Sequence, residues 1–367
     1  MRVVTIRDFS AKLNATPPDL TTSNRNSMKA LVTGANGFLG SHLVRELVAS
    51  GYEVTAMTRR RDEIALGQSI RNVNGDVRNA DSVEEACRGQ EIVFHVAAVS
   101  GIWGSWKHYH STNTCGTRNV VEACLNHGVQ KLVYTSSPSV TFNGNHQINE
   151  TETAPYPREW LAHYPHSKAL AEQCVLDAND DQQLMTCALR PHLIWGPGDR
   201  HLIPRLIERA RKGQLRRVGD GKNMVDSIYV ENAALAHIQA AEAMRPGSPV
   251  CGSSYFLSQG EPVNLWAWIN EILELGGVPK VTKSISFPWA YRVGYMLEAW
   301  HSIRNLAGEP RMTRFLAAQL AKSHYFDISR AYHDFGYQPR VSMAEGMRRL
   351  GETLGAGGVD QAVGERI

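Results

Sequence analysis

Nowhere in its 367 residues does the chain reach the run of about 18 apolar residues that a membrane-spanning helix needs. It also lacks a strong excess of charge of either sign. Thirty-nine Lys and Arg face 36 Asp and Glu, a formal net charge of +3, too small to point to nucleic acid or an anionic membrane as partner. Cysteine is sparse. The six (Cys87, Cys115, Cys124, Cys174, Cys187, Cys251) are scattered without a C-x-x-C pair or zinc-ligand spacing, which reads as reduced thiols in a cytoplasmic protein. No metal site is expected: His108 and His110 are close in sequence, and His163 and His166 flank Tyr164, but no carboxylate or cysteine pattern accompanies them.

Residues 1–27 lack the apolar centre of a secretory signal, and their acidic residues argue against an organellar leader. Two readings fit them: a disordered extension, or a start placed early, with Met28 as the natural first residue. From Met28 short apolar strands alternate with amphipathic helices. Lys29–Thr33 reads as a buried strand. The next segment places Leu39, Leu43, Val44, Leu47 and Val48 at helical spacing before Gly51. Further strands are expected at 53–57, 91–97, 131–136 and 185–190, with helices near 82–88, 114–127 and 166–178. Such alternation implies right-handed crossovers and an α/β, doubly wound (Rossmann) parallel sheet. We expect this dinucleotide-binding domain over 28–198, a smaller, mainly C-terminal substrate lobe over 199–350 with some of it returning to the main sheet, and a flexible tail over 351–367.

Thr33-Gly34-Ala35-Asn36-Gly37-Phe38-Leu39-Gly40 joins the first strand to the first helix. Gly34 permits the tight turn, Gly37 lets backbone approach a pyrophosphate, and Gly40 allows helix to pack closely on strand. The helix start, with Phe38 and Leu39, offers N–H groups to phosphate. Three glycines alone are a weak signal; opening a strand-helix-strand unit sharpens it. At the end of the second strand an acid would read the ribose 2′-hydroxyl. Thr58 stands there instead, followed by Arg59, Arg60 and Arg61, which favours NADP, with NAD open and a solvated arginine loop as the plain alternative. Asp76 and Val77 follow the third strand, where an Asp would meet the adenine amino group, and Ala97 ends the fourth among small residues.

Tyr164 and Lys168 are four apart, on one helical face. A phenol needs help to exchange protons near neutrality, and the Lys168 ammonium is expected to lower its pKa. Ser137, at the end of the fifth strand, offers a hydroxyl to the substrate oxygen. Asn113 is expected to bind a backbone group or water that orients Lys168. The basic series Arg205, Arg209, Arg211, Lys212, Arg216 and Arg217 reads as a solvated face sooner than as a grip on an acidic substrate.

The segments TGANGFLG, GDV, HVAA, NTCGT, YTSS, YPHSK and LRPHLIWGPGD together resemble the extended short-chain dehydrogenase/reductases from Met28 to about Leu350. VDSIYVENAALAH, YFLSQGEPVN and YFDISRA most resemble the 3β-hydroxysteroid dehydrogenase branch, with its sterol-4-carboxylate 3-dehydrogenases and 2-alkyl-3-oxoalkanoate reductases. The resemblance implies catalytic roles for Ser137, Tyr164 and Lys168, and nicotinamide contacts near Pro191 and Ile194. Thr58-Arg59 departs from the acid usual in sterol-directed members. The expected partner is a small apolar substrate, carboxylated in the alkyl-oxoalkanoate and sterol-carboxylate readings. The aromatic stretch Phe287–Trp300, with Arg292 and Arg304, is expected to hold it; core packing explains the same aromatics. A homodimer is left open. Three functions compete: a secondary alcohol–ketone dehydrogenase; a sugar-nucleotide epimerase or dehydratase with no net cofactor turnover; and a cofactor-sensing protein, which has no need of Tyr164-Lys168.

Overall fold

Lys29–Thr33 (β1) alternates as a two-faced strand should. Ala30 and Val32 enter one hydrophobic core and Leu31 enters the other, all fully buried. The structure is a computed structural model describing residues 27–59, 70–306 and 308–356. After β1 come α1 (Phe38–Ala49), β2 (Glu53–Thr58), β3 (Arg71–Asn74), α2 (Ala80–Cys87) and β4 (Ile92–His95). A short helix α3 (Trp106–Tyr109) runs through a π-helical turn, His110–Cys115, into α4 (Gly116–Asn126). Then follow β5 (Lys131–Thr135), β6 (Gln147–Glu150), α5 (His163–Asp177) and β7 (Met185–Pro191).

Seven strands form one parallel sheet in the order Ser253–Leu257, β7, β5, β4, β1, β2, β3. The chain winds outward from β1 to β3, then returns to the other side of β1 as β4. That reversal opens a crevice at the carboxyl ends of β1 and β4, the place where doubly wound sheets bind ligands. Both faces are covered. Helices α1 and Val230–Ala243 supply one core; α2, α4 and α5 supply the other. On α1, buried Leu39, Leu43 and Leu47 each contribute roughly 1.5–3 kcal/mol of apolar burial.

Two of these elements come from far along the chain: Ser253–Leu257 and Val230–Ala243 both join the main sheet. Conversely, β6 leaves it. It pairs with His324–Phe326 in a four-stranded sheet ordered Val263–Asn264, Met224–Val225, His324–Phe326, β6. A separate core of Trp195, Ile203, Ile207, Trp268, Ile272 and their neighbours holds the helices Leu202–Arg211 and Leu265–Leu275 beside it. The tail expected from 351 begins as helix: Met343–Ala356 runs into it, with Met347 and Leu350 anchored in that third core. The rest of the tail, residues 1–26, and Arg60 and Arg61 lie outside the described residues. All six cysteines are free thiols.

Candidate functional site

The glycine loop turns where β1 ends. Gly34 has φ +67°, and a Cβ there would stand 2.8 Å from the Cα of Ala97, at the end of β4. A Cβ on Gly40 would stand 2.2 Å from the Gly34 carbonyl oxygen, so the helix packs on the turn only without a side chain. Gly37 donates its N–H to the Gly34 carbonyl at 2.9 Å and caps α1 with no side chain of its own. The first turn of α1 holds no acid. The cradle is thus bare backbone at a positive helix end, at the sheet's reversal, and it fits a dinucleotide pyrophosphate. Phe38 packs partly against the main core and Leu39 is buried within it.

Around this cradle, Arg59 follows β2 and exerts an attraction on Asp76. Asp76 is gripped by Arg78, through Nη2 at 2.6 Å and Nε at 3.0 Å, which holds its carboxyl below the usual range. Val77 is buried, and its carbonyl accepts from Asn119 at 2.8 Å. Ala97 donates its N–H to Thr33 Oγ1 at 3.2 Å. From there one hydrogen-bond chain crosses the buried end of β4. Thr117 Oγ1 donates to the Asn113 carbonyl at 2.6 Å, so it accepts from His95 Nε2 at 2.9 Å; His95 Nδ1, left bare, accepts from Thr33 Oγ1 at 2.7 Å. Burial and the nearby Lys168 push His95 down to about 3, so it is neutral.

Asn113 sits in the π-helical turn. It accepts from the Val99 N–H at 2.8 Å and donates to the Val99 carbonyl at 2.9 Å and to Ser167 Oγ at 3.0 Å. It therefore ties the loop after β4 to α5, next to Lys168 rather than on it. Lys168 is buried, and its Nζ donates to the Thr135 carbonyl at 2.6 Å. Burial lowers its pKa to about 7, and Glu172 opposes that fall. Glu172 is itself fully buried, paired with Arg190 at 2.5 Å and accepting from Tyr156 at 2.7 Å.

Tyr164 opens α5. Burial raises its pKa, and the neighbouring Ser137 hydroxyl draws it back down. The expectation that Lys168 lowers it is corrected here: those are its two causes, and the ammonium is committed elsewhere. Ser137 also bonds Ser139, Oγ to Oγ at 2.8 Å. Tyr164, Ser137 and Pro191 line one cavity of about 190 Å³, together with Ile102, Phe315 and Phe326. Ile194 is not among its lining residues. It pairs with Ile228 and packs on the main core, because the chain has already turned away at Leu193 (φ 43°).

A larger cavity of about 790 Å³ shares Ile102 with the first and is lined by Trp160, His163, Tyr295, Glu298, Leu306 and Arg314, among others. Of the aromatic stretch, Tyr295 lines it. Trp289 and Trp300 are half exposed on the outer face of the helix Phe287–Arg304, and Arg304 lies over Trp300 instead of facing a cavity. The cation beside the cavity is Arg314, paired with Glu298 at 2.7 Å. In the basic series, Arg205 and Arg209 both pair with Glu309, and Lys212 pairs with Glu208. His166 stacks on Trp160 at 5.0 Å, and His110 lies 4.9 Å from Trp106. Sequence reasoning missed His192, Gln147, Gln319 and His324, all on the smaller cavity. Only His192 had a signal, since it directly follows Pro191.

The chain matches the 3-beta hydroxysteroid dehydrogenase/isomerase family over residues 31–289. It is 48% identical to a 2-alkyl-3-oxoalkanoate reductase of Stenotrophomonas maltophilia, over 88% of this chain and 98% of that one. It is 35% identical to the human sterol-4-alpha-carboxylate 3-dehydrogenase, decarboxylating, over 94% and 92%. Among solved structures, MoeE5 in complex with UDP-glucose and NAD matches with a TM-score of 0.69 and 28% identity, over 89% of this chain and 99% of that one.

Proposed function

Since the chain belongs to the 3-beta hydroxysteroid dehydrogenase/isomerase family and is an NAD(P)-dependent oxidoreductase, we propose that it reduces an apolar 3-oxo acid to the 3-hydroxy acid with NADPH. The observation that carries the reading is that Tyr164 and Ser137 stand together on the wall of one cavity beside the glycine cradle's crevice. The 48% identity to a 2-alkyl-3-oxoalkanoate reductase supports the substrate class, and Arg59 in place of an acid supports NADPH.

In this reading Gly34, Gly37 and the N–H groups at Phe38 and Leu39 hold the pyrophosphate, while Gly40 lets α1 approach. Arg59 meets the 2′-phosphate, Asp76 and Val77 flank the adenine, and Ala97 and Pro191 flank the rest. A bound dinucleotide supplies or accepts the hydride. Ser137 and Tyr164 hold the substrate oxygen between their hydroxyls. Tyr164 passes its phenolic proton to that oxygen as the alcohol forms. Lys168 keeps positive charge near the ribose, and Asn113 fixes the loop that borders it. Among the described residues no helix is long and apolar enough to cross a membrane. Cytoplasmic location and a homodimer complete the proposal.

The test is turnover of a long-chain 2-alkyl-3-oxo acid, a 3-oxosteroid and a UDP-sugar, followed by the absorbance of reduced nicotinamide. Net oxidation of NADPH with the acid is expected. Conversion of the UDP-sugar alone, without net cofactor change, would replace this reading with an epimerase.

A further inference from the structure

The cavity at Tyr164 carries two bases that the reaction above does not use. His192 follows β7 directly, and His324 opens the strand that pairs with β6; both line the cavity. Their rings meet at 2.7 Å, His192 Nε2 to His324 Nδ1, nearly perpendicular at 83°. The protons can be assigned. His324 Nε2 lies 2.9 Å from the Gln319 carbonyl, which can only accept, so that nitrogen carries the hydrogen. His324 Nδ1 is then bare and accepts from His192 Nε2–H. In the neutral pair this leaves His192 Nδ1 as the unprotonated end of the chain.

The remaining lining is Gly, Ile, Leu, Pro, Ser, Phe, Gln and Tyr, with no Lys, Arg, Asp or Glu. An anion entering this cavity therefore meets no standing cation, and the two imidazoles are the groups able to become one. The titratable groups packed around them are few. His146 acts on His324; Asp226, raised to about 6 by burial, accepts from the Phe326 N–H at 2.8 Å; and Tyr164 shares the cavity. Burial and the neighbouring ring hold His192 well below its ordinary range, and His324 is lowered to about 4.

A 3-oxo acid carries its carboxylate two bonds from the carbon being reduced. With the ketone oxygen on Ser137 and Tyr164, the carboxylate falls inside the same small cavity. We propose that the His192–His324 pair is the specificity determinant for that carboxylate, taking one proton from solvent as the acid binds and pairing the anion as a hydrogen-bonded imidazolium. A neutral pair admits apolar surroundings at rest. It acquires charge only when a counter-charge arrives, which avoids a permanently buried lone cation.

This rests on the 3-oxo acid reading, and the test separates the two. A 2-alkyl-3-hydroxy acid and its methyl ester are oxidised with NADP by wild type, His192→Phe and His192→Gln. Wild type is expected to favour the acid at least tenfold in kcat/KM. His192→Phe should bring the acid-to-ester ratio near one, chiefly through KM, and His192→Gln, which keeps a donor, should retain part of the preference. Calorimetry at pH 8 in buffers of different ionisation enthalpy should show proton uptake approaching one per site when the acid binds wild type, and none for the ester or for His192→Phe. Equal loss of acid and ester turnover in His192→Phe, or acid binding without proton uptake, overturns the proposal. If wild type oxidises neither compound, the reductase reading fails and the proton count alone decides the role of the pair. If His192→Phe does not fold, wild type decides. KM for the acid rising with pH while the ester's stays flat supports the pair, and two flat profiles overturn it.

Discussion

The Nζ of Lys168 stands 4.2 Å above the ring of Tyr134. Burial works against the ammonium, and the ring face, the Thr135 carbonyl and Glu172 work for it. The charged fraction of Lys168 falls as pH rises through about 7. Removing a stabiliser of the charged form moves that fall to lower pH. Tyr134→Leu should therefore shift the alkaline limb of kcat/KM toward acid by about one pH unit or less, and Tyr134→Phe should leave it in place. A Leu variant with the wild-type limb would show that the ring only fills space.

Tyr164→Phe keeps the ring and removes the proton. Its turnover should fall by roughly 10²–10⁴-fold, the usual range for a lost general acid, while cofactor affinity stays near wild type. Fluorescence titration with NADPH and single-turnover kinetics separate the two quantities. Activity within tenfold of wild type would remove Tyr164 from the mechanism.

Gly40 and Gly51 give a matched comparison. A Cβ on Gly40 collides with the Gly34 carbonyl at 2.2 Å, whereas Gly51 (φ +83°) has nothing within 4 Å. Gly51→Ala should cost about 1–2 kcal/mol of backbone strain and leave cofactor binding alone. Gly40→Ala should cost about 1–3 kcal/mol through overpacking and also weaken NADPH, because the cradle must shift to admit the methyl group. Thermal melts with and without cofactor read both effects.

Arg59→Ala should weaken NADPH by roughly tenfold or more and NADH much less, as expected for loss of a charge-assisted contact of about 1.5–3 kcal/mol. Equal losses would place the arginine in solvent, with its influence limited to Asp76.

Much of the site could be read in one dimension because its parts are local. The glycine loop occupies seven residues, and Tyr164 and Lys168 share one helical turn. The doubly wound parallel sheet likewise followed from apolar strands alternating with amphipathic helices, but not its strand Ser253–Leu257, which comes from the irregular second half. What escaped depends on distance along the chain. His192 and His324 are 132 positions apart and meet only because β6 crosses into the smaller sheet. Asn113 was visible as a polar residue near the site, but its partner Val99 was not, since a π-helical turn carries no periodic signature. The helix Phe287–Arg304 was legible only in part, for a related reason. Aromatic content does not say which side of a helix faces the protein, and Trp289, Met296, Trp300 and Ile303 turn outward.

The pairing of β6 with His324–Phe326 also bears on how the chain is made. On the ribosome, Gln147–Glu150 emerges about 174 residues before the strand that pairs with it. Until then the nascent dinucleotide-binding half carries an open strand edge next to Ser137 and Tyr164. Such an edge is a template for pairing with another chain. Synthesis that stops between these two points is therefore expected to release a fragment prone to associate with itself. In the finished protein His324–Phe326 covers one side of β6 and closes the wall of the cavity.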